Sequence, residues 1–307
     1  MATELHISIS AERVFSFGPL NISNSMLTSL IVSGLLILFF VAVNRSLDPK
    51  AKKPKALQNL AEFMVEGFFG LVQGVTGDEQ KTRFFLPYFM SFFLFIMLNN
   101  WFGLLPGVGT IGFTQSETGT EHAVLLDKEI SAPISSVQAS QPVEEELVVE
   151  HGILNESEVE LEDAESMSAE HGKEGVFVPY FRAGTADLNT TIALSLTTMA
   201  IIQFAGVKYL GLAYFKKFFD LRSPILFVVS ILESISEVAK IISFSFRLFG
   251  NIFAGEVLLV VIGSLVPIIA PLPFYGLEIF VGFIQAFVFA LLSLVFFNIA
   301  VAGHDEH

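Results

Sequence analysis

Arg247 stands in a run of otherwise apolar sequence, and the polar residues around it recur at helical spacing. On a helix turning about 100° per residue, Glu233, Ser236, Lys240, Ser243 and Asn251 all fall within about 40° of Arg247. Gly250 and Ala254 share that face and leave little side-chain bulk beside the arginine. Such a stripe suits a surface that another helix slides past closely. Glu256 lies on the opposite face, about 180° away. Glu278 and Gln285 come later and share one face of the next apolar segment. An ionisable group inside a membrane helix costs about 2.5 kcal/mol or more, so each needs a reason to be there. A fixed cation, carboxyls that take up or release a proton, and amides and hydroxyls that hydrogen-bond are the parts needed to move an ion. A set of inert ion pairs that cements two helices is the plain alternative. Six polar groups on one narrow stripe weigh against it.

The elements that carry these residues are read from the apolar runs, several of which are long enough to cross a bilayer. The first span covers residues 25–43, without the clustered basic region or cleavage pattern of a signal peptide. Residues 55–73 place Leu57, Leu60, Ala61, Met64, Phe68, Leu71 and Val72 on one face. That pattern predicts an amphipathic helix, either lying in the cytoplasmic interface or packed on a neighbour. The second span is 84–105, closed by Pro106 and Gly107, and the third is 188–207. From Pro224 to Val266 the chain is apolar for a length that must tilt, kink or project. Pro267, Pro271 and Pro273 then predict a hairpin turn, with the last helix over 274–301. The fold class is therefore an all-α polytopic membrane protein with about five membrane helices and one amphipathic helix. The last two helices form a long, strongly tilted hairpin. By antiparallel geometry, Glu256, Glu278 and Gln285 are expected to share a polar pocket apart from the Arg247 stripe.

Organisation follows as an outer N-terminal segment (1–24), two spans with the amphipathic helix (25–105), an outer loop (106–187), a helical core that carries the polar stripe (188–303) and a cytoplasmic tail (304–307). Basic residues at 45–55 and 208–222 fall on one side, which the positive-inside bias makes cytoplasmic. The N-terminus then lies outside and the C-terminus inside, as for a multi-pass protein of a bacterial plasma membrane.

Of 307 residues, 52% are hydrophobic, yet the formal net charge is −14. Residues 114–175 account for all of it, with 16 acidic and 2 basic residues, and the remainder balances to zero. That insertion has too little apolar content to fold alone and is expected to be a solvated, disordered outer loop. The sharper alternative is a cation-collecting antenna or docking site. With no cysteine there is no disulfide framework or thiolate metal site. His122, His151, His171 and His304 lack metal-ligand spacing, so no metal and no cofactor are expected. No basic face suits nucleic acid, and no nucleotide-binding, hydrolase or zincin motif occurs.

Four strings carry a specific likeness. ISFSFRLFGNIFAGEVLL (242–259), TADLNTTIALSL (185–196), FIQAF (283–287) and NNWFGLLPG (99–107) resemble subunit a of the F-type ATP synthases. The likeness runs from about residue 55 to the C-terminus, apart from the acidic loop. It implies a non-catalytic stator subunit that faces the rotating c-ring and conducts ions through two offset half-channels. Arg247 matches the essential arginine facing the c-ring carboxylates. As a guanidinium keeps its proton in a protein, it stays a fixed cation, favours the ionised carboxylate and blocks a direct leak. Asn251, Glu256, Glu278 and Gln285 match the outer half-channel, and Glu233, Lys240 and Ser243 lie toward the cytoplasmic one. Asp187 and Asn189 are supporting positions. Some relatives have histidine where Glu278 stands. Two carboxyls brought close would share a proton, and such a pair relays protons or accommodates a cation. The expected ion is the proton, with sodium open. Implied partners are the c-ring, the subunit b peripheral stalk, the remaining synthase subunits and the bilayer. A secondary transporter would need paired internal repeats, and an intramembrane enzyme a nucleophile–base or metal pair; neither is visible.

Overall fold

In a computed structural model of the chain, residues 11–17, 20–47, 56–115, 176–211, 214–215, 218, 222–266 and 269–302 are described. The acidic run beyond residue 115, the four histidines named above and the basic cluster at 50–55 lie outside them. Six long helices dominate the described residues: α1 (Asn24–Ser46), α2 (Ala56–Thr76), α3 (Glu79–Gly103), α4 (Leu188–Leu210), α5 (Pro224–Leu265) and α6 (Pro271–Val301). All but α2 are long and apolar enough to cross a membrane. The fold class read from the sequence is the one observed, and α5 at 42 residues extends about 63 Å.

Local signals set the helix starts. Ser23, Asp78, Asp187 and Ser223 each cap a helix by accepting a backbone N–H, which satisfies a donor that a first turn leaves open. Pro224 follows Ser223 at the first helical position, where its missing N–H costs nothing. The same logic corrects the last helix, which begins at Pro271 rather than residue 274. Pro271 and Pro273 sit within its first turn and start the helix instead of breaking it. Asp78 likewise starts α3 five residues before the predicted 84, and Pro87 is carried inside it.

Two short strand pairs were not expected. β1 (Arg13–Phe17) pairs antiparallel with β2 (Leu20–Ser23), and β3 (Gly112–Gln115) pairs with β4 (Val176–Pro179). The chain divides into a unit of Met1–Gly112 with Pro179–His307 and a unit of Phe113–Val178. In the second unit, the described residues belong to β3 and β4.

The helical unit is held by an aromatic seam between α3 and α6. Phe85 and Phe297 stack at 4.4 Å between centroids, and Phe92 meets Phe289 edge-on at 5.9 Å. Phe244 brings α5 onto the same ring of Phe289 at 4.8 Å. The amphipathic stripe of α2 packs at its C-terminal half, where Val72 is fully buried and Phe68 lies 5.5 and 5.1 Å from Phe89 and Phe93. Leu60 of that stripe is 49% exposed.

Among the membrane-length helices, α3 and α5 run opposite to α1, α4 and α6, so the bundle has two chemically different ends. At one end meet β1–β2, the C-terminal turns of α3 and α5, the N-terminal turns of α1, α4 and α6, and the segment 179–187. Ser29 of α1 donates to Asn99 of α3 there, at 3.2 Å. The segment passes so close that a side chain on Gly184 would meet Ser29 and Asn99. At the other end Asn298 of α6 donates to the Val75 carbonyl of α2 at 3.0 Å. Arg45 and Lys208 lie in the last turns of α1 and α4 at that end.

Candidate functional site

The Arg247 stripe is one continuous exposed face of α5. Ser236, Ser243, Arg247, Gly250, Asn251 and Ala254 are all exposed, and Lys240 is half-buried among them. Among the described residues Arg247 has no hydrogen-bond or ion-pair partner. Ser236, Lys240, Ser243 and Arg247 line a cleft of about 260 Å³, closed on its apolar side by Phe244 of α5 and by Leu292 and Phe296 of α6. This is the side chain set that the wheel brings together, with Glu233 two turns below Lys240 on the same helix.

Lys240 is not a free cation. Its ammonium donates to Glu237 at 2.8 Å and lies 4.9 Å from the centre of the Phe296 ring. Glu237 also accepts from the Gln203 amide of α4 at 3.1 Å, and Gln203 accepts from the Tyr214 hydroxyl at 2.6 Å. Tyr214 is buried over Gly206, where any side chain would meet its ring. Glu237, Gln203 and Tyr214 were not among the site residues expected from the sequence. Glu237 lies about 80° from Arg247 on the wheel, outside the stripe, and that angle turns it toward α4 instead of the exposed face.

Above Arg247 the stripe meets α6. Asn251 donates to Gln285 at 2.7 Å, and Gln285 is 5% exposed, its own amide nitrogen without a partner among the described residues. The expected grouping of Gln285 with Glu256 and Glu278, apart from the stripe, is therefore corrected. Seven residues along α6 is about 10 Å of rise, so Gln285 shares Glu278's face at a deeper level. That level is the one Asn251 occupies on the antiparallel α5.

Glu256 and Glu278 line a separate cavity of about 150 Å³ at the β1–β2 end, with Asn100, Arg182 and Tyr275. Glu256 is not left to face Glu278 alone. Arg182, 7% exposed and contributed by the segment before α4, places its Nε 3.0 Å from both carboxylate oxygens of Glu256. Its guanidinium also lies 5.8 Å from the centre of the Phe253 ring. An opposite charge thus stands where the sequence reading had two carboxyls sharing a proton. Glu278 folds over Gly255, and a side chain there would coincide with its carboxyl group. Among the described residues Glu278 has no hydrogen-bond or ion-pair partner.

The cavity's frame is polar and tied down. Asn100 donates to the Gly282 carbonyl at 3.1 Å and accepts from the buried Thr185 hydroxyl. Trp101 donates to the Ile279 carbonyl at 3.1 Å. Asp187 is a structural member of this frame: it caps α4 through the Asn189 N–H at 3.1 Å and accepts from Ser25 of α1 at 3.0 Å. Asn189 contributes its backbone, and its side chain is exposed. Arg182 had one signal in the sequence, a lone cation five residues before the Asp187 cap, but nothing there named its partner.

The family model described as ATP synthase A chain matches residues 26–298. The chain is 29% identical over 279 residues to the chloroplastic ATP synthase subunit a of Stigeoclonium helveticum, covering 91% of this chain and 85% of that protein. It is 28% identical over 302 residues to ATP synthase subunit a of Gloeobacter violaceus, covering 98% of this chain and 93% of that one. A cation on an open helix face and half-buried carboxyls between two helices fit that match: the chain belongs to the ATP synthase A chain family, the non-catalytic membrane-sector subunit of the complex.

Proposed function

We propose that this chain passes protons through two offset half-channels that meet at Arg247, and so couples ion flow to movement of a c-ring. Translocation of protons in the membrane sector is what membership of the family implies. The observation that carries the finer reading is Arg247 itself, an exposed cation on an apolar helix with no partner among the described residues. Gly250 and Ala254 beside it leave the face smooth, so a second helix can bring a carboxylate to the guanidinium. At about 4 Å and an effective dielectric of about 20 such a pair gains roughly 4 kcal/mol, comparable with the cost of holding the arginine in the membrane.

The outer path enters at the Glu256–Glu278 cavity and reaches the stripe through Gln285 and Asn251. The cytoplasmic path is the cleft of Ser236, Lys240 and Ser243, with Glu233 beyond. In this reading the β1–β2 end faces outside, the C-terminus is cytoplasmic, and the membrane is a bacterial plasma membrane. The peripheral stalk subunit b holds the chain against the turning ring. Arg182 in the outer cavity opposes storage of a second cation there, which favours the proton over sodium. The test is ATP-driven proton pumping in membranes whose assembled complex carries Arg247→Ala. Pumping is expected to vanish while assembly persists; pumping at the wild-type rate would overturn the proposal.

A further inference from the structure

Every polar side chain that lines the cleft of about 260 Å³ beside Arg247 can donate a hydrogen bond: Ser236, Lys240, Ser243 and Arg247. The ammonium and the guanidinium are donors only, and no carboxylate is among the described residues that line the cleft. Glu237 takes one of the three Lys240 donors and also accepts from Gln203 of α4. Glu233 stands about one turn before Ser236, outside the lining.

The serines of α5 divide by face. Ser230, Ser234 and Ser245 each donate back to the carbonyl four residues earlier, at 3.0, 3.0 and 2.8 Å. Back-bonding of this kind satisfies a hydroxyl within its own helix. Ser236 and Ser243 make no such bond, and neither has a hydrogen-bond partner among the described residues. They stand about one turn to either side of Lys240, so two unused hydroxyls flank an ammonium on one face. A proton that leaves the level of Arg247 along this cleft passes two cations that repel it. It meets no base stronger than a hydroxyl in the lining. A small anion with several acceptor oxygens removes both difficulties.

We propose that this cleft is an oxyanion site open to the cytoplasm, in which a hydrogen phosphate ion seated on Ser236, Lys240 and Ser243 takes the proton as it leaves. The site rests on the half-channel reading above and names what receives the proton on the cytoplasmic side. As a c-ring carboxyl meets Arg247, its O–H bond breaks and one O–H bond forms on the oxyanion, so that HPO4 with two negative charges becomes H2PO4 with one. The lost negative charge weakens the hold of the two cations, which favours release to the cytoplasm. Proton pumping runs the same step backwards.

The experiment is passive proton conduction in inverted membrane vesicles stripped of their catalytic heads, with rates divided by the amount of assembled subunit. Inorganic phosphate on the cytoplasmic side is expected to raise the rate saturably, by about twofold or more, above a zwitterionic buffer of equal capacity, pH and ionic strength. Sulfate shares the shape but is no base near neutral pH, so it should give no gain and should compete the phosphate gain away. Lys240→Gln should raise the half-saturating phosphate concentration about tenfold, equivalent to about 1.4 kcal/mol. The double variant Ser236→Ala/Ser243→Ala, which leaves the Lys240–Glu237 pair in place, should raise it about threefold or more.

A rate that does not respond to phosphate would overturn the site, and is the result expected if a lipid phosphodiester or water alone fills the cleft. A gain that sulfate leaves untouched, or a half-saturation unchanged in the double serine variant, would overturn it as well. Arg247→Ala tells two failures apart. If it stops pumping while phosphate has no effect, the oxyanion site alone falls; if it pumps at the wild-type rate, the half-channel reading falls and takes the site with it.

Discussion

Gly255 offers a perturbation whose effects on folding and on ion flow should part company. It is buried in α5, and Glu278 occupies the space where its side chain would stand. Gly255→Ala puts a methyl carbon into that space. Non-bonded heavy atoms keep about 3.5 Å apart, so the carboxyl group must withdraw by roughly 2 Å. The clash is with the flexible end of a side chain, so the cost is an off-rotamer Glu278, about 0.5–1.5 kcal/mol. Alanine in a helix interior regains about 0.8–1 kcal/mol over glycine. The two nearly cancel, and the variant should assemble at the wild-type level. Proton transfer is far less forgiving, because a misplacement of about 1 Å can cost about a hundredfold. Conduction per assembled complex should therefore fall by about tenfold to a hundredfold. Adding Glu278→Asp, shorter by one methylene, should restore part of it by drawing the carboxyl back from the new methyl. The measurement pairs complex yield and thermal stability with passive proton conduction. Wild-type conduction in fully assembled Gly255→Ala complexes would refute the placement of Glu278 on the path.

Two further variants test the frame rather than the path. Asp187→Ala removes the α4 cap and the acceptor of Ser25, and should cost about 1–2 kcal/mol, seen as a lower unfolding temperature of the solubilised complex; an unchanged temperature would deny Asp187 its tie between α1 and α4. Phe297→Ala empties the fully buried site stacked on Phe85, at a cost of about 3–5 kcal/mol, and should cut the assembled yield steeply while the complexes that form still depend on Arg247.

The helices were legible because their signals are local. Ser223-Pro224 marks the start of α5 in two adjacent residues, and the 233–251 stripe can be read from one helix's period alone. The start of α6 was misread for a reason that is also local. Pro271 and Pro273 interrupt a helix interior but are welcome in a first turn, and an apolar stretch with prolines at its head looks the same in both cases. β1 and β2 span five and four residues, too few for an alternating pattern to stand out beside a 23-residue apolar helix. The site divides along the same line. Lys240, Ser243, Arg247 and Asn251 share one helix and could be placed by angle. Arg182 and Glu256 are 74 residues apart, joined only when α4 and α5 pack, and no period encodes that.

What packing adds is a distinction among cations that their types alone conceal. Arg182, Lys240 and Arg247 lie on or against α5 and show it. Arg182 is matched by Glu256, Lys240 by Glu237, and Arg247 by nothing among the described residues. The first two are half-buried or buried, where an uncompensated charge would be costly, and each has its carboxylate within 3.0 Å. Arg247 alone is turned outward, on a face kept clear by Gly250 and Ala254. A carboxylate from within the chain would satisfy it permanently and leave no reason for a second helix to approach. Leaving it open makes the chain incomplete by one negative charge. In the proposed mechanism each c-ring carboxylate supplies that charge in turn, and the pairing is strong enough to strip an ion yet, at an exposed site, weak enough to let the ring move on.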